Sequence, residues 1–218
     1  MDSEKRKFDV ELSDGKKVEL TTRMPTNAEL QESEDEYSVA FNKAIMKGIM
    51  PEATLMDSFL KNGVWSEQKD NEIEEQRLKV VELEEKLEAE KNQSEKQIIA
   101  KSLSEEREKL YQKRQQRTQL LSHSAESKAE DAQRNYIVSK VTALASSGVP
   151  VWSTYEDFKN EVDGSLVFRA TYEYLTLANG LPSDFVEQLP ENQVDKTPEA
   201  GEEQSADVVP SANEESAE

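Results

Sequence analysis

Residues 70–117 read DNEIEEQRLKVVELEEKLEAEKNQSEKQIIAKSLSEEREKLYQKRQQR, and their pattern of apolar and charged residues predicts the architecture of the chain. This stretch lies within residues 64–147, where neither glycine nor proline interrupts the chain. Ile73, Val80 and Leu87 repeat every seven residues, which is the spacing of a coiled-coil seam. The seam then fails, because polar residues occupy the positions that continue the repeat. This pattern predicts helices with a weak coiled-coil-like contact and argues against a long parallel zipper.

Opposite charges are separated along this stretch. Residues 70–90 are rich in aspartate and glutamate, whereas residues 107–117 are rich in lysine and arginine. If the chain reverses near residues 91–94, the acidic segment lies antiparallel to the basic one. We therefore predict that residues 66–147 form a long charged helical arm that can fold as an antiparallel hairpin. A single solvated helix, with two unrelated charged faces, is the alternative.

The predicted hairpin brings particular charges together. Glu74 and Glu75 approach the segment between Lys113 and Arg117 when the chain reverses at residues 91–94. Each exposed pair contributes only about a few tenths of a kcal/mol. The charges therefore select the pairing of the two helices more than they stabilise it.

A β-hairpin is predicted at residues 7–22. Apolar residues alternate with polar ones before and after a turn (Phe8, Val10, Leu12, Val18 and Leu20). The turn itself contains Asp14-Gly15, a pair that supplies the positive φ angles of a tight hairpin turn. Because an isolated hairpin is marginal in water, its apolar face is expected to pack on another element.

Two helices are predicted after the hairpin. Thr26 and Glu29 form a capping box that begins the first helix, and Gly48 ends it. Pro51 opens a second, shorter helix. Together with the hairpin, these helices predict a small head at residues 1–65.

A further helix is predicted at residues 125–145, ended by Gly148 and Pro150. Its apolar positions follow helical spacing (Ala125, Ala129, Ala132, Tyr136, Ile137, Val141 and Leu144). Residues 148–190 then predict short helices that pack on the head, one of them begun by a capping box of Ser153 and Glu156. The apolar residues at helical spacing in this segment are expected to be core (Phe168, Tyr172, Leu175 and Ala178).

The end of the chain is acidic. Residues 191–218 contain no aromatic residue, and acidic residues far outnumber the one lysine. Segments of this composition do not bury enough apolar surface to fold. We therefore predict a disordered acidic tail at residues 191–218. The fold class is mainly α, with a small N-terminal β-hairpin, a helical head, a long arm and this tail.

Composition excludes several classes of function. The net charge of -19 disfavours binding to nucleic acids and to anionic membranes. It suits a basic protein partner and keeps the chain soluble. The chain has no cysteine, and neither an apolar signal sequence nor an apolar run long enough to span a membrane is found. We expect a cytoplasmic protein.

Catalytic motifs are missing from the sequence. The single histidine, His123, lies in Leu121-Ser122-His123-Ser124 without a cysteine or a nucleophile elbow nearby. The glycines are too sparse for a loop that cradles phosphate. We therefore expect a non-enzymatic protein without a cofactor or a metal ion.

The N-terminal pattern resembles a known group of proteins. It consists of Phe8-Asp9-Val10-Glu11-Leu12 with Asp14-Gly15, then Thr22-Arg23-Met24-Pro25-Thr26, then an amphipathic helix containing Tyr37 and Phe41. This pattern resembles small accessory proteins of the tail modules of tailed bacteriophages, in particular tail assembly chaperones. The resemblance covers mainly residues 7–65.

The resemblance implies an assembly factor that coats the tape measure protein, a long helical client, before the tail tube polymerises around it. The side chains expected to bind such a partner are aromatic residues and methionines (Tyr37, Phe41, Met46, Met50, Met56, Phe59, Trp65 and Trp152). Burial of the methionines and of both indoles in the core is the alternative for these side chains. A structural virion component of the baseplate or neck, an acidic inhibitor of a basic host protein, and a homo-oligomer also remain open.

Overall fold

A computed structural model describes residues 5–182 and 184–193. These residues form three strands and eight helices, in the order β1 (Lys5–Glu11), β2 (Lys17–Arg23), α1 (Asn27–Met46), α2 (Glu52–Lys61), α3 (Glu67–Ala89), α4 (Gln93–Leu121), α5 (Ala125–Val141), β3 (Thr142–Leu144), α6 (Tyr155–Lys159), α7 (Gly164–Ala178) and α8 (Pro190–Gln193). The predicted fold class, mainly α with a small N-terminal hairpin, is confirmed. The predicted disordered tail begins too early, because α8 includes residues 191–193, and the remainder of that prediction lies outside the described residues.

The N-terminal hairpin forms as the alternation of apolar residues predicts. β1 and β2 pair antiparallel, with Phe8 opposite Leu20 and Val10 opposite Val18. At the turn, Gly15 has a φ of 83°, a conformation that side chains other than glycine rarely adopt. The turn closes with a hydrogen bond of 2.8 Å from the Leu12 amide to the Lys16 carbonyl.

A third strand corrects the prediction of a helix at residues 125–145. The helix ends at Val141, and β3 pairs antiparallel with β2, placing Leu144 opposite Leu20. The free edge of β2 supplies hydrogen-bonding groups that a longer helix would leave unpaired. Val141 and Thr142 are β-branched and favour the extended conformation at this point.

The core of the protein lies under this sheet. We call it the head core, and its buried members are Phe8, Val10, Leu20, Ile137, Val138, Val141, Trp152, Phe158, Leu166, Ala170 and Tyr174. It contains no residue of α1 or α2, and much of it comes from α5 and from residues 152–174. Residues more than a hundred positions further along the chain cover the hairpin instead.

Helix α1 packs antiparallel against α5. The Gln133 amide donates to the Ser33 hydroxyl over 3.4 Å, and the Tyr136 hydroxyl donates to the Glu32 carboxylate. The predicted capping box of Thr26 and Glu29 is confirmed at the start of α1.

Arg23 of β2 fixes the start of α1 to the sheet. Its guanidinium donates to both carboxylate oxygens of Glu29, at 2.7 and 2.8 Å. These bonds, together with bonds from Thr26, lower the pKa of Glu29 to about 2. The pair is mostly shielded from water, so it joins the hairpin to α1 through a strong charge-assisted contact.

The arm, defined here as α3 and α4, is an antiparallel helical hairpin. The chain reverses at residues 90–92, and the Asn92 side chain caps α4 by accepting from the Ser94 amide at 2.9 Å. The buried seam between the helices, which we call the arm core, consists of Val80, Leu87, Ala100, Leu103 and Leu110. The described arm is therefore two paired helices and not the single solvated helix.

The charge pairing of the arm differs in register from the prediction. Lys113 lies 3.6 Å from Glu72, and Arg117 lies 3.2 Å from Asp70. Glu74 pairs with Arg77 on its own helix at 2.6 Å. The cross-helix partners therefore lie nearer the start of α3 than predicted, because the apolar seam sets the register and the exposed charges adapt to it.

Two predictions about the C-terminal segment also change. The predicted capping box at Ser153 and Glu156 is found one residue later, at Thr154 and Asp157. The end of that segment, α8, lies against the arm, since Glu191 pairs with Arg107 of α4. Arg107 also bonds Glu84 of α3 at 2.5 Å, so one guanidinium joins three elements. Among the described residues, no helix combines the length and the apolar character needed to cross a bilayer.

Candidate protein-binding surfaces

The connection between α1 and α2 exposes apolar side chains. Gly48, with a φ of 81°, ends α1 and turns the chain toward Pro51, which precedes α2. The start of α2 is held by two bonds to the start of α5. The Glu52 amide donates to the Glu126 carboxylate at 2.7 Å, and the Ala125 amide donates to the Met50 carbonyl at 3.0 Å.

Helix α2 is amphipathic, yet none of its residues is buried. Met46 at the end of α1 is 88% exposed, and Met50 in the connection is 50% exposed. Met56 and Phe59 of α2 are half-buried. We call the set of Met46, Met50, Met56, Phe59 and Leu60 the α1–α2 surface. It gathers four of the predicted partner-binding residues within a short segment of chain.

Tyr37 and Phe41 lie further back on α1, where it meets α5. Their rings are stacked with centroids 6.2 Å apart, and both are half-buried. Burial raises the pKa of Tyr37, and the nearby carboxylates of Glu130 and Glu126 raise it further. These two rings therefore contribute to packing between α1 and α5 and expose only part of their surface.

The two tryptophans are buried, which is the alternative that the sequence left open for them. Trp65 is 3% exposed, and its indole donates to Asp70 at 3.0 Å. Trp152 is 4% exposed, packs edge-on against Phe158 in the head core and donates to Glu161 at 3.1 Å. A partner that docks on the folded surface therefore does not reach either indole.

The sequence missed a second exposed apolar surface, on α7. The buried apolar residues of α7, spaced by helical turns, are Leu166, Ala170, Tyr174 and Leu177. Phe168, Tyr172 and Leu175, which were expected to be core, lie on the opposite side, and Phe168 is 71% exposed. We call Phe168, Tyr172 and Leu175 the α7 outer face. Its spacing is also helical, so the sequence pattern alone could not tell which stripe is buried.

The described part of the chain does not bring metal-binding or catalytic side chains together into one site. Within the described residues, no group of three or more histidine, aspartate or glutamate side chains is placed to hold a metal ion. His123 is exposed at the turn between α4 and α5. An open concavity of about 510 Å³ lies near the start of β1. Arg6 is one of the residues that line it, and its guanidinium donates a hydrogen bond of 2.6 Å to the Thr176 hydroxyl.

Comparison of the chain with models of protein families, with curated proteins and with solved structures gives no match.

Proposed function

We propose that this protein is a non-enzymatic binding protein that holds a segment of another polypeptide on its α1–α2 surface. The observation that carries the proposal is that α2 is amphipathic but buries none of its residues, beside exposed Met46 and Met50. Exposed apolar helix faces bind the amphipathic helices of partners, and methionine adapts to varied apolar contacts.

The charge next to this surface is mixed. Glu52 and Glu126 lie at the start of α2, and Lys43 and Lys47 flank Met46. The excess of carboxylates over the whole chain is therefore what favours a basic client. A client segment that combines apolar residues with lysine or arginine matches both the apolar surface and the carboxylates. The net charge of -19 favours solubility of the complex with such a basic client.

The resemblance to tail assembly chaperones supports a more specific form of the proposal. In that form the client is the tape measure protein of a tailed bacteriophage, and the protein acts in the host cytoplasm before the tail tube is built. The resemblance covers residues 7–65, and the α1–α2 surface lies within them.

The methionines allow a direct test. The full chain, labelled with ¹³C at the methionine methyl groups, is titrated with a synthetic amphipathic helix of leucine and lysine. We expect saturable shifts of the Met46, Met50 and Met56 methyl signals, whereas the signal of Met24, which precedes α1, stays in place. A matched peptide of leucine and glutamate is expected to bind much more weakly, because the net charge of -19 repels it.

Replacement of two exposed methionines tests whether the α1–α2 surface binds the peptide. Met46→Gln combined with Met50→Gln is expected to weaken binding of the basic peptide by about tenfold or more, the loss that removal of two apolar contacts produces without a change of charge. Val149→Gln makes the same kind of change at another exposed apolar position and serves as the control. Equal binding of both peptides, or equal loss in the control variant, contradicts the proposal.

The phage-specific form has its own test. On co-expression with a tape measure protein, the wild-type chain is expected to keep that client soluble, and the double methionine variant is expected to lose this effect. If peptide binding is found but the tape measure protein stays insoluble with both chains, the client is a different polypeptide and the phage-specific form fails.

A further inference from the structure

Helix α7 is apolar on two opposite sides. One side packs Leu166, Ala170 and Tyr174 into the head core, and the other side is the α7 outer face. An exposed apolar patch on a helix whose other side is already packed marks a surface that a partner covers. A second surface that covers the α7 outer face is therefore expected.

The α7 outer face is uncharged in a chain of which 33% is charged. Between Gly164 and Pro182 the charged residues are Arg169 and Glu173. They pair with each other at 2.7 Å, and the Glu173 carboxylate is buried. Two copies of a chain with a net charge of -19 repel each other wherever carboxylates meet. At the α7 outer face, two copies can approach without opposing carboxylates.

The two ends of α7 carry opposite charges. Glu161 and Asp163 lie at its N-terminal end. Its C-terminal end borders the open concavity that is lined by Lys5 and Lys7, together with Arg6, which is already paired with Glu173 of α7 itself. In an antiparallel pair of α7 helices, the acidic end of one copy lies beside the basic end of the other. This complementarity favours a second copy of the chain over a partner that is acidic or basic throughout.

We propose that two copies of this chain associate through their α7 outer faces, with the α7 helices antiparallel around a two-fold axis near Thr171. Phe168 of each copy then contacts Leu175 of the other, and the two Tyr172 rings lie near the axis. Such a contact uses the same patch on both copies, which is the arrangement of most symmetric dimers. The association uses a surface distinct from the α1–α2 surface and does not depend on the function proposed above.

The size of the patch sets the expected affinity. Complete burial of a large apolar side chain contributes about 1.5–3 kcal/mol. Three such residues from each copy must offset an association cost of at least about 4 kcal/mol, and their burial in the contact is incomplete. A reversible dimer with a dissociation constant in the range of about 1–100 µM is expected.

Sedimentation of the full chain between about 1 and 300 µM, a range that brackets this affinity, tests the association. The mean mass is expected to rise from that of one 24.7 kDa chain toward that of two. Phe168→Glu is expected to keep the chain monomeric throughout, because it places a carboxylate in the contact. The side chain is mostly exposed, so the variant is expected to fold, which circular dichroism checks. Val39→Glu adds the same charge at an exposed position of α1 and is expected to dimerise normally.

The absence of cysteine from the chain allows a test of the geometry. Thr171→Cys places a single thiol near the proposed axis, and mild oxidation is expected to join two copies by a disulfide. Val39→Cys, with a thiol on α1, is expected to cross-link far more slowly. A constant mass of one chain, a dimer that persists in Phe168→Glu, or equal cross-linking of the two cysteine variants overturns the proposal.

Discussion

The head core and the arm core differ in what they bury. The head core combines three strands with α5, α6 and α7 and includes the large rings of Phe8, Trp152, Phe158 and Tyr174. The arm core is a line of valine, leucine and alanine side chains between two helices. Because apolar burial scales with buried area, the head core holds far more of the stabilising free energy than the arm core.

Charge is also used differently in the two regions. In the head, Arg23 and Glu29 are mostly shielded from water, and the guanidinium donates one hydrogen bond to each carboxylate oxygen. In the arm, the pairs formed by Lys113 and Arg117 with α3 are substantially exposed. Exposed pairs contribute little and weaken in salt. The arm therefore depends on a thin apolar seam, whereas the head depends on a core that many elements share.

The largest expected effect comes from the head core. Leu20 lies on the central strand β2 and is fully buried. Leu20→Ala is expected to lower the free energy of unfolding by about 3–5 kcal/mol, the upper part of the range for buried leucine, because a three-stranded sheet and its helices cannot collapse into the cavity. Urea unfolding is followed by the fluorescence of Trp152 in a Trp65→Phe background.

A control at the same sheet uses Val18, which is half-buried at the end of the hairpin. Val18→Ala is expected to cost less than about 1.5 kcal/mol, since less apolar surface is lost there. If Leu20→Ala and Val18→Ala destabilise the protein equally, burial in the head core does not control its stability.

The second prediction concerns the arm. Leu103 is fully buried between α3 and α4. Leu103→Ala is expected to cost about 2–3 kcal/mol, and the loss is expected to appear as local opening of the arm because the seam is thin. Amide hydrogen exchange should speed up in α3 and α4, while β2 and α7 exchange at their previous rates. Equal acceleration in both regions would show that head and arm unfold as one unit.

The sequence predicted well those features that neighbouring residues determine. The turn at Asp14-Gly15 follows from glycine at positive φ, and the cap at Thr26 follows from a side chain that bonds the first turn of a helix. The reversal of the arm near Asn92 follows from the end of an apolar seam and from the separation of charge. The turn and the cap are each decided within a few residues, and the reversal is decided by the pattern of residues 70–117.

Features set by distant residues could not be predicted in the same way. The strand β3 exists because β2, more than a hundred residues earlier, has an open edge. On α7, two apolar stripes of equal spacing compete for the core, and the position of the sheet decides that Tyr174 is buried and Phe168 is not. Of the candidate binding residues, Met46 and Met50 are exposed, whereas Trp65 is buried by contacts that the sequence does not reveal.

The smallest predicted effect on stability concerns the ion pairs of the head and of the arm, which differ in exposure to water. The Arg23 guanidinium holds the pKa of Glu29 at about 2, below its ordinary value of 4.5. Because the folded pKa is lowered, the ionised form contributes stability at pH values above about 4.5, and the contribution is lost as the pH falls toward 2. Between pH 6 and pH 3, wild type is expected to lose about 1–2 kcal/mol more than Glu29→Gln, as measured by urea unfolding.

Glu74 of the arm is the matched control. Its pKa is also lowered, by the hydrogen bonds from Arg77, but both side chains are largely exposed. Solvent screens this pair, so Glu74→Gln is expected to leave the pH dependence of unfolding almost unchanged. If Glu29→Gln and Glu74→Gln change the loss of unfolding free energy at acid pH equally, shielding from water does not distinguish the two pairs. If only Glu29→Gln alters it, the shielded pair of the head contributes to stability and the exposed pair on α3 does not.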